Sequence, residues 1–189
     1  MRHDHPTVRG AMLLVAMLML QGCLSTHVEP TEGSRAQIRF VSTLDSSVVN
    51  VSVLSFGNEQ CENRKLVAAL SGAAVQHNRK KIGMPLGNEF RDRDISEMYV
   101  QAGTPLIFSM GVWTGNVYAG TASCRVTKTF QPVENQMYEA TFLVGDETCA
   151  VSVKRIEKSG NDYVRVPEKS ARKTAHTCSI DGIEKEPAS

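Results

Sequence analysis

The sequence predicts a mainly β fold: an antiparallel β-sandwich of immunoglobulin/transthyretin-like type with one short helix. Three observations lead there. Short runs rich in β-branched and aromatic residues recur from Ala36 to Glu157. Turn signals made of Gly, Pro, Asn and Asp separate them. The stretch is about 120 residues long, enough to bury one sizeable core in one domain.

The elements follow in order. In the first run Ile38, Phe40 and Ser42 alternate with Arg39 and Val41, the period of a strand. Val48 to Phe56 (VVNVSVLSF) is β-branched, with Val49, Val51 and Val53 on one parity, and Gly57-Asn58 ends it. Cys61 to Leu70 (CENRKLVAAL) breaks the pattern, because Leu66, Val67 and Leu70 fall at helical spacing after a charged stretch; this is the predicted helix. Asn78 to Asp94 is charged, carries two glycines and a proline, and reads as a long exposed loop between the halves of the sandwich. Long loops of this kind are functional or mobile. Met98–Ala102 and Leu106–Trp113 are strand-like and flank the turn signal Gly103-Thr104-Pro105. Arg125–Phe130, Tyr138–Val144 and Cys149–Ile156 complete the series, with turns at 132–135 and 145–146. Beyond Glu157 the chain is polar. Tyr163–Val166 reads as an edge strand, Glu168–Thr177 as irregular unless Cys178 staples it, and the last residues as disordered.

The N-terminus is different in kind. Met1–Gly10 carries Arg2 and Arg9 against Asp4, Ala11–Leu20 (AMLLVAMLML) is unbroken apolar, and Leu20-Gln21-Gly22-Cys23 follows. This order is the layout of a secretory signal. As a helix the apolar run spans about 15 Å, half of a ~30 Å hydrocarbon core, too short for a permanent membrane span. Leu20–Cys23 resembles the lipobox of bacterial lipoproteins. The resemblance covers residues 1–23 and implies cleavage before Cys23 and acylation of its thiol and amine. One acyl chain binds a membrane marginally, and several attach it stably. In enterobacterial lipoproteins an Asp after the cysteine retains the protein at the inner membrane. Leu24 stands there, so the resemblance implies the outer membrane, with the domain facing the periplasm. Leu24–Ser34 (LSTHVEPTEGS) is polar and aperiodic and reads as a flexible tether. Eleven such residues reach about 15–20 Å. The organisation is thus a signal peptide (1–22), lipidated Cys and tether (23–34), β-sandwich (35–157) and polar extension (158–189).

The chain has five cysteines: Cys23, Cys61, Cys124, Cys149 and Cys178. An odd count is awkward in an exported protein. With Cys23 lipidated, four remain for two disulfides in an oxidising compartment. Three connectivities are open. The favoured one joins Cys124 to Cys149, which bracket a predicted hairpin, and leaves Cys61 with Cys178.

Composition and motifs narrow the chemistry. Removing residues 1–22 takes away Arg2, Arg9 and Asp4, so 21 basic and 20 acidic residues become 19 of each. This balance argues against nucleic acid as a partner. His27 lies in the tether, His77 near a basic loop and His176 beside Cys178. His176 and Cys178 fall short of the four ligands a structural zinc needs. Glu89, Asp92, Asp94 and Glu97 invite calcium, but Arg91 and Arg93 alternate with them, and a solvated charged loop is the better reading. There is no GxSxG elbow, SxxK motif or phosphate-binding glycine loop. Ser71-Gly72 reads as a helix stop, Arg79-Lys80-Lys81 as a solvated loop, and Trp113 as packed at a strand end. The sequence therefore predicts no catalytic residue and no cofactor. It predicts a non-enzymatic binding or envelope-assembly module, held by its N-terminal lipid and serving an envelope protein partner. The alternative is a cell-envelope enzyme or inhibitor acting on cell-wall or lipid substrates.

Overall fold

The computed structural model describes residues 25–44, 50–72, 77–116, 120–145, 148–179 and 182–183. The signal segment and Cys23 lie outside them. The strands are β1 (Arg35–Ser42), β2 (Asn50–Phe56), β3 (Lys65–Ser71), β4 (Ile95–Gln101), β5 (Leu106–Asn116), β6 (Gly120–Phe130), β7 (Met137–Val144), β8 (Cys149–Ser159), β9 (Asp162–Pro167), β10 (Arg172–Lys173), β11 (Cys178–Ser179) and β12 (Gly182–Ile183).

Two five-stranded sheets form, ordered β4-β1-β7-β8-β9 and β10-β6-β5-β2-β3, with β11 and β12 as a separate pair. Pairing is antiparallel except between β1 and β7, which run parallel. The inner faces share one core. Ile38, Phe40, Met98, Tyr138, Ala140 and Phe142 come from the first sheet, and Val51, Val53, Phe108, Met110, Val126 and Phe130 from the second. Four aromatic rings form a chain that crosses the seam twice: Phe40 lies 5.3 Å from Phe108, Phe108 6.3 Å from Phe130 in the same sheet, and Phe130 4.8 Å from Tyr138. Edge-to-face pairs add about 0.5–1.5 kcal/mol each to the burial itself.

The predicted helix at Cys61–Leu70 is absent. Cys61 and Asn63 take left-handed backbone (φ 65° and 52°), and Lys65–Ser71 is strand β3. The register of β2 against β3 shifts between Val53 and Leu54. This irregularity moves the side-chain parity, so Val67, Ala68 and Leu70 all enter the core while Leu66 packs on the opposite face. A bulged strand buried on both faces has the same apolar spacing as a short helix. Asp92–Asp94 is a single 3-10 turn. Ser71, read as a helix stop, instead closes β3 at φ 67° and donates to the buried Ser42 Oγ at 2.7 Å.

Two expected boundaries also differ. Residue 157 falls inside β8, which runs to Ser159 and pairs with β9. The chain beyond it returns to the second sheet through β10 and brings Cys178 to a buried position. The expected tether is held from Ser25 onward: Leu66 N donates to Ser25 O (2.9 Å), His27 N to Leu66 O (2.9 Å), Tyr99 N to Glu29 Oε2 (3.0 Å) and Ala102 N to Ser34 O (3.0 Å). The segment bridges the edge strands β3 and β4, sealing edges that would otherwise invite pairing with other chains.

Both disulfides form in the favoured pairing. Cys61–Cys178 has a Cα separation of 5.4 Å and Cys124–Cys149 of 6.1 Å. They sit at opposite ends of the fold. The first packs with Leu54, Phe56 and Ile107; the second joins β6 to β8 between the sheets, near Val112 and Val144.

Candidate functional site

The outer face of the first sheet carries charges where a strand pattern allows polar residues, yet these charges are buried. Register places Glu97 (β4) opposite Arg39 (β1), Arg39 opposite Glu139 (β7), and Glu139 opposite Lys154 (β8). Signs alternate across four neighbouring strands. Among the described residues the buried charged side chains are Arg39, Asp94, Glu97 and Glu139, with Arg39 fully inaccessible.

The Arg39 guanidinium spends its donors on both sides. Nε and Nη2 donate to Glu97 Oε1 (2.8 and 2.7 Å), and Nη1 donates to Glu139 Oε2 (3.0 Å). Nη2 also reaches the carbonyls of Met84 and Pro85, each at 2.8 Å. Arg165, from β9, donates through Nε to Glu139 Oε1 (2.7 Å) and through Nη2 to Glu139 Oε2 and the Leu86 carbonyl (both 3.0 Å). It pairs with Glu89 at 2.7 Å as well. Phe90 lies under both guanidinium groups, 6.0 Å from Arg39 and 5.5 Å from Arg165.

Glu97 completes the arrangement. Its second oxygen accepts the successive N–H groups of Ile82, Gly83 and Met84 at 2.7, 3.0 and 3.2 Å. Consecutive amides converging on one anion form a nest. Burial alone would raise the carboxyl's pKa. The hydrogen bonds from Arg39 and the Met84 and Ile82 amides outweigh it and hold it below the ordinary value. A carboxylate so held, with both oxygens engaged, is poorly suited to general acid or base work near neutral pH. The cluster clamps residues 82–90 over the sheet. Gly87 is where the fit is tightest, since a Cβ there would stand 2.8 Å from Arg39 Nη2. A polar pocket of about 300 Å³, bordered by Lys81, Asn88 and Glu97, remains above it.

A larger cleft, about 930 Å³, opens at the end of the fold that holds Cys61. His27, Phe56, Asn58, Lys65, Pro105 and Ile107 line it. His27 Nε2 is buried without a partner. Burial, then the Lys65 charge, lowers the His27 pKa against the opposing pull of Glu29.

The other residues singled out from sequence disperse. The acids read as a solvated cluster divide their partners: Glu97 binds Arg39, Glu89 Arg165, Asp92 Lys81 at 2.6 Å and Asp94 Arg91 at 2.5 Å. Only the Asp94 pairing is local in sequence. Arg79 donates to the Ala69 and Gly72 carbonyls, Lys80 pairs with Glu29, and Lys81 with Asp92, so this run closes the β3–β4 edge. His77 bridges Ala69 at that edge, and His176 is exposed beyond β10. Trp113 is in β5 opposite Ser123, its side chain outside what the structure describes. Among the described residues no group of three or more His, Cys, Asp or Glu is placed to hold a metal ion, and no helix is long and apolar enough to cross a membrane.

Sequence reasoning missed Arg39, Glu139 and Arg165. The available signal was a lone charge at the centre of an otherwise apolar strand, as in Ile38-Arg39-Phe40-Val41. No protein-family model, curated protein or solved structure matches this chain.

Proposed function

We propose that this chain is a lipid-anchored protein of the bacterial outer membrane. Its β domain, of immunoglobulin/transthyretin-like class, faces the periplasm and acts as a non-enzymatic binding or envelope-assembly module. One observation carries the reading. Cys61, Cys124, Cys149 and Cys178 pair among themselves, which leaves Cys23 the odd cysteine of five, at the end of the lipobox-like run. Two disulfides fit an oxidising compartment. The covered outer faces support a module that holds shape: the charges on the first sheet are spent on its own loop.

The test is replacement of Cys23 by Ala. Membrane fractionation should show the variant leaving the membrane fraction. Retention of Cys23→Ala with the membranes would refute lipid anchoring. Thiol labelling of the mature protein under denaturing, non-reducing conditions should find no free thiol.

The alternative, an envelope enzyme or inhibitor acting on cell-wall or lipid substrates, draws on the 930 Å³ cleft, where His27 Nε2 is buried without a partner and burial lowers the imidazole's pKa. Turnover of such a substrate, abolished by His27→Gln with the fold intact, would favour it.

A further inference from the structure

We infer that one end of the fold rests directly on the bilayer that holds the Cys23 acyl chains. This is the end with the turns at 57–63, 102–105 and 131–136. The inference rests on the lipid-anchor reading above and adds an orientation to it.

Chain length limits where the lipid can attach. Ser25 is already fixed: its carbonyl accepts Leu66 N at 2.9 Å and its hydroxyl donates to the Arg64 carbonyl at 3.1 Å. Cys23 is two residues earlier. Fully extended, two residues span about 7 Å. The lipid therefore attaches beside the start of β3, and no flexible leash separates body from membrane.

Direction follows from the pairing. Thr26 bridges Leu66 in parallel, so residues 25–27 run inward along β3 and Ser25 is the outermost of them, beside Arg64 and Lys65. The rest of the segment stays at this end: Ser34 O accepts Ala102 N next to the 102–105 turn. Gly103 N in turn donates to Pro132 O, which joins the 131–136 turn to the same surface.

Val133, in the 131–136 turn, is 57 % exposed at this end, and Val28, the most exposed large apolar side chain among the described residues at 77 %, follows the inward run on the adjoining flank. Exposed apolar groups beside a lipid anchor are suited to the boundary between headgroups and acyl chains. Acids and bases are mixed here: Glu59 and Glu62 lie in the 57–63 turn with Arg64 and Lys65 following it, and Glu134 lies in the 131–136 turn. The seating thus depends on the short attachment and apolar contact, and is insensitive to salt. The opposite end, with Leu143, Val144 and the Cys124–Cys149 disulfide, then points away from the membrane and is the end open to an envelope partner.

The experiment uses the full mature protein, purified from membranes and reconstituted into phosphatidylcholine vesicles. A membrane-impermeant amine reagent modifies exposed lysines, and mass spectrometry reads each site. Lys65 at the seated end is compared with Lys81, which is exposed and pairs with Asp92 in the loop over the outer face of the first sheet. Lys65 should react several-fold more slowly in vesicles than in detergent, in high and low salt alike, with Lys81 unchanged. Equal reaction of Lys65 in both states overturns the seating. So does protection that vanishes in high salt, which would mean electrostatic adhesion. The N-terminal peptide is weighed in the same run. A peptide without acyl chains overturns the anchor reading itself, whereas an acylated peptide with unprotected Lys65 overturns the orientation alone.

Discussion

The two sheets cover their outer faces by opposite means. On the second sheet the C-terminal segment lies over Leu54, Phe56 and Ile107 and is fastened covalently by Cys61–Cys178. The Cys178 amide adds a hydrogen bond to Thr127 Oγ1 at 2.7 Å. On the first sheet the 78–94 connection is fastened by charge: Glu97 holds three amides, and Arg39 and Arg165 hold three carbonyls. An apolar, covalent cover responds to reductant and is indifferent to pH. An ionic one responds to protonation and to loss of any one member, because a buried charge left without its partner costs far more than the intact pair gains.

The largest expected effect is on the covalent side. Cys61 and Cys178 are 117 residues apart. Closing so long a loop is worth about 5 kcal/mol in the chain-entropy model. The double replacement Cys61→Ser, Cys178→Ser should lower stability to denaturant by that order and free the 174–179 amides to exchange, with 82–84 still protected. Removing Cys124–Cys149, separated by 25 residues, should cost less, about 3–4 kcal/mol.

On the ionic side, Arg39→Met leaves Glu97 and Glu139 buried without their shared cation. Chemical denaturation should show a loss of about 3–5 kcal/mol. Gly87→Ala tests the fit alone. The added Cβ meets Arg39 Nη2 at 2.8 Å, and the overpacking should cost about 1–3 kcal/mol.

Acid sharpens the contrast further. Glu97 has a lowered pKa in the folded state, so its stabilisation is complete above the ordinary carboxyl value of 4.5 and fades as pH falls below it. The 82–90 cover should loosen on that descent before the C-terminal cover does, as read by hydrogen exchange. The smallest effect belongs to His27. Its folded pKa is below 6.5, so the unfolded chain takes up its proton first as pH falls. Stability should decline slightly as pH drops through that range, and His27→Gln should remove the slope.

The same contrast decides what could be read from sequence. Strand periodicity carried β1, β2 and β4 through β8, and the hairpin between Cys124 and Cys149 pointed to both disulfides. Local spacing failed at β3, where the bulge mimics helical periodicity. It also failed along 25–34, whose polar residues look free but are held by backbone pairing and by Glu29. The ionic clamp was illegible for a deeper reason. Arg39 is 58 residues from Glu97 and 100 from Glu139, and only strand register, including the parallel pairing of β1 with β7, sets them in one row. Local acid–base alternation at 89–97 pointed to the wrong partners for Glu89 and Glu97.

The most direct test follows the amides of Ile82, Gly83 and Met84 by hydrogen exchange in three forms: wild type, Glu97→Gln, and wild type with its disulfides reduced. An ionic clamp predicts protection in the wild type, loss of protection in Glu97→Gln, and retained protection after reduction so long as the fold persists. Persistent protection in Glu97→Gln, or loss on reduction alone, would contradict it.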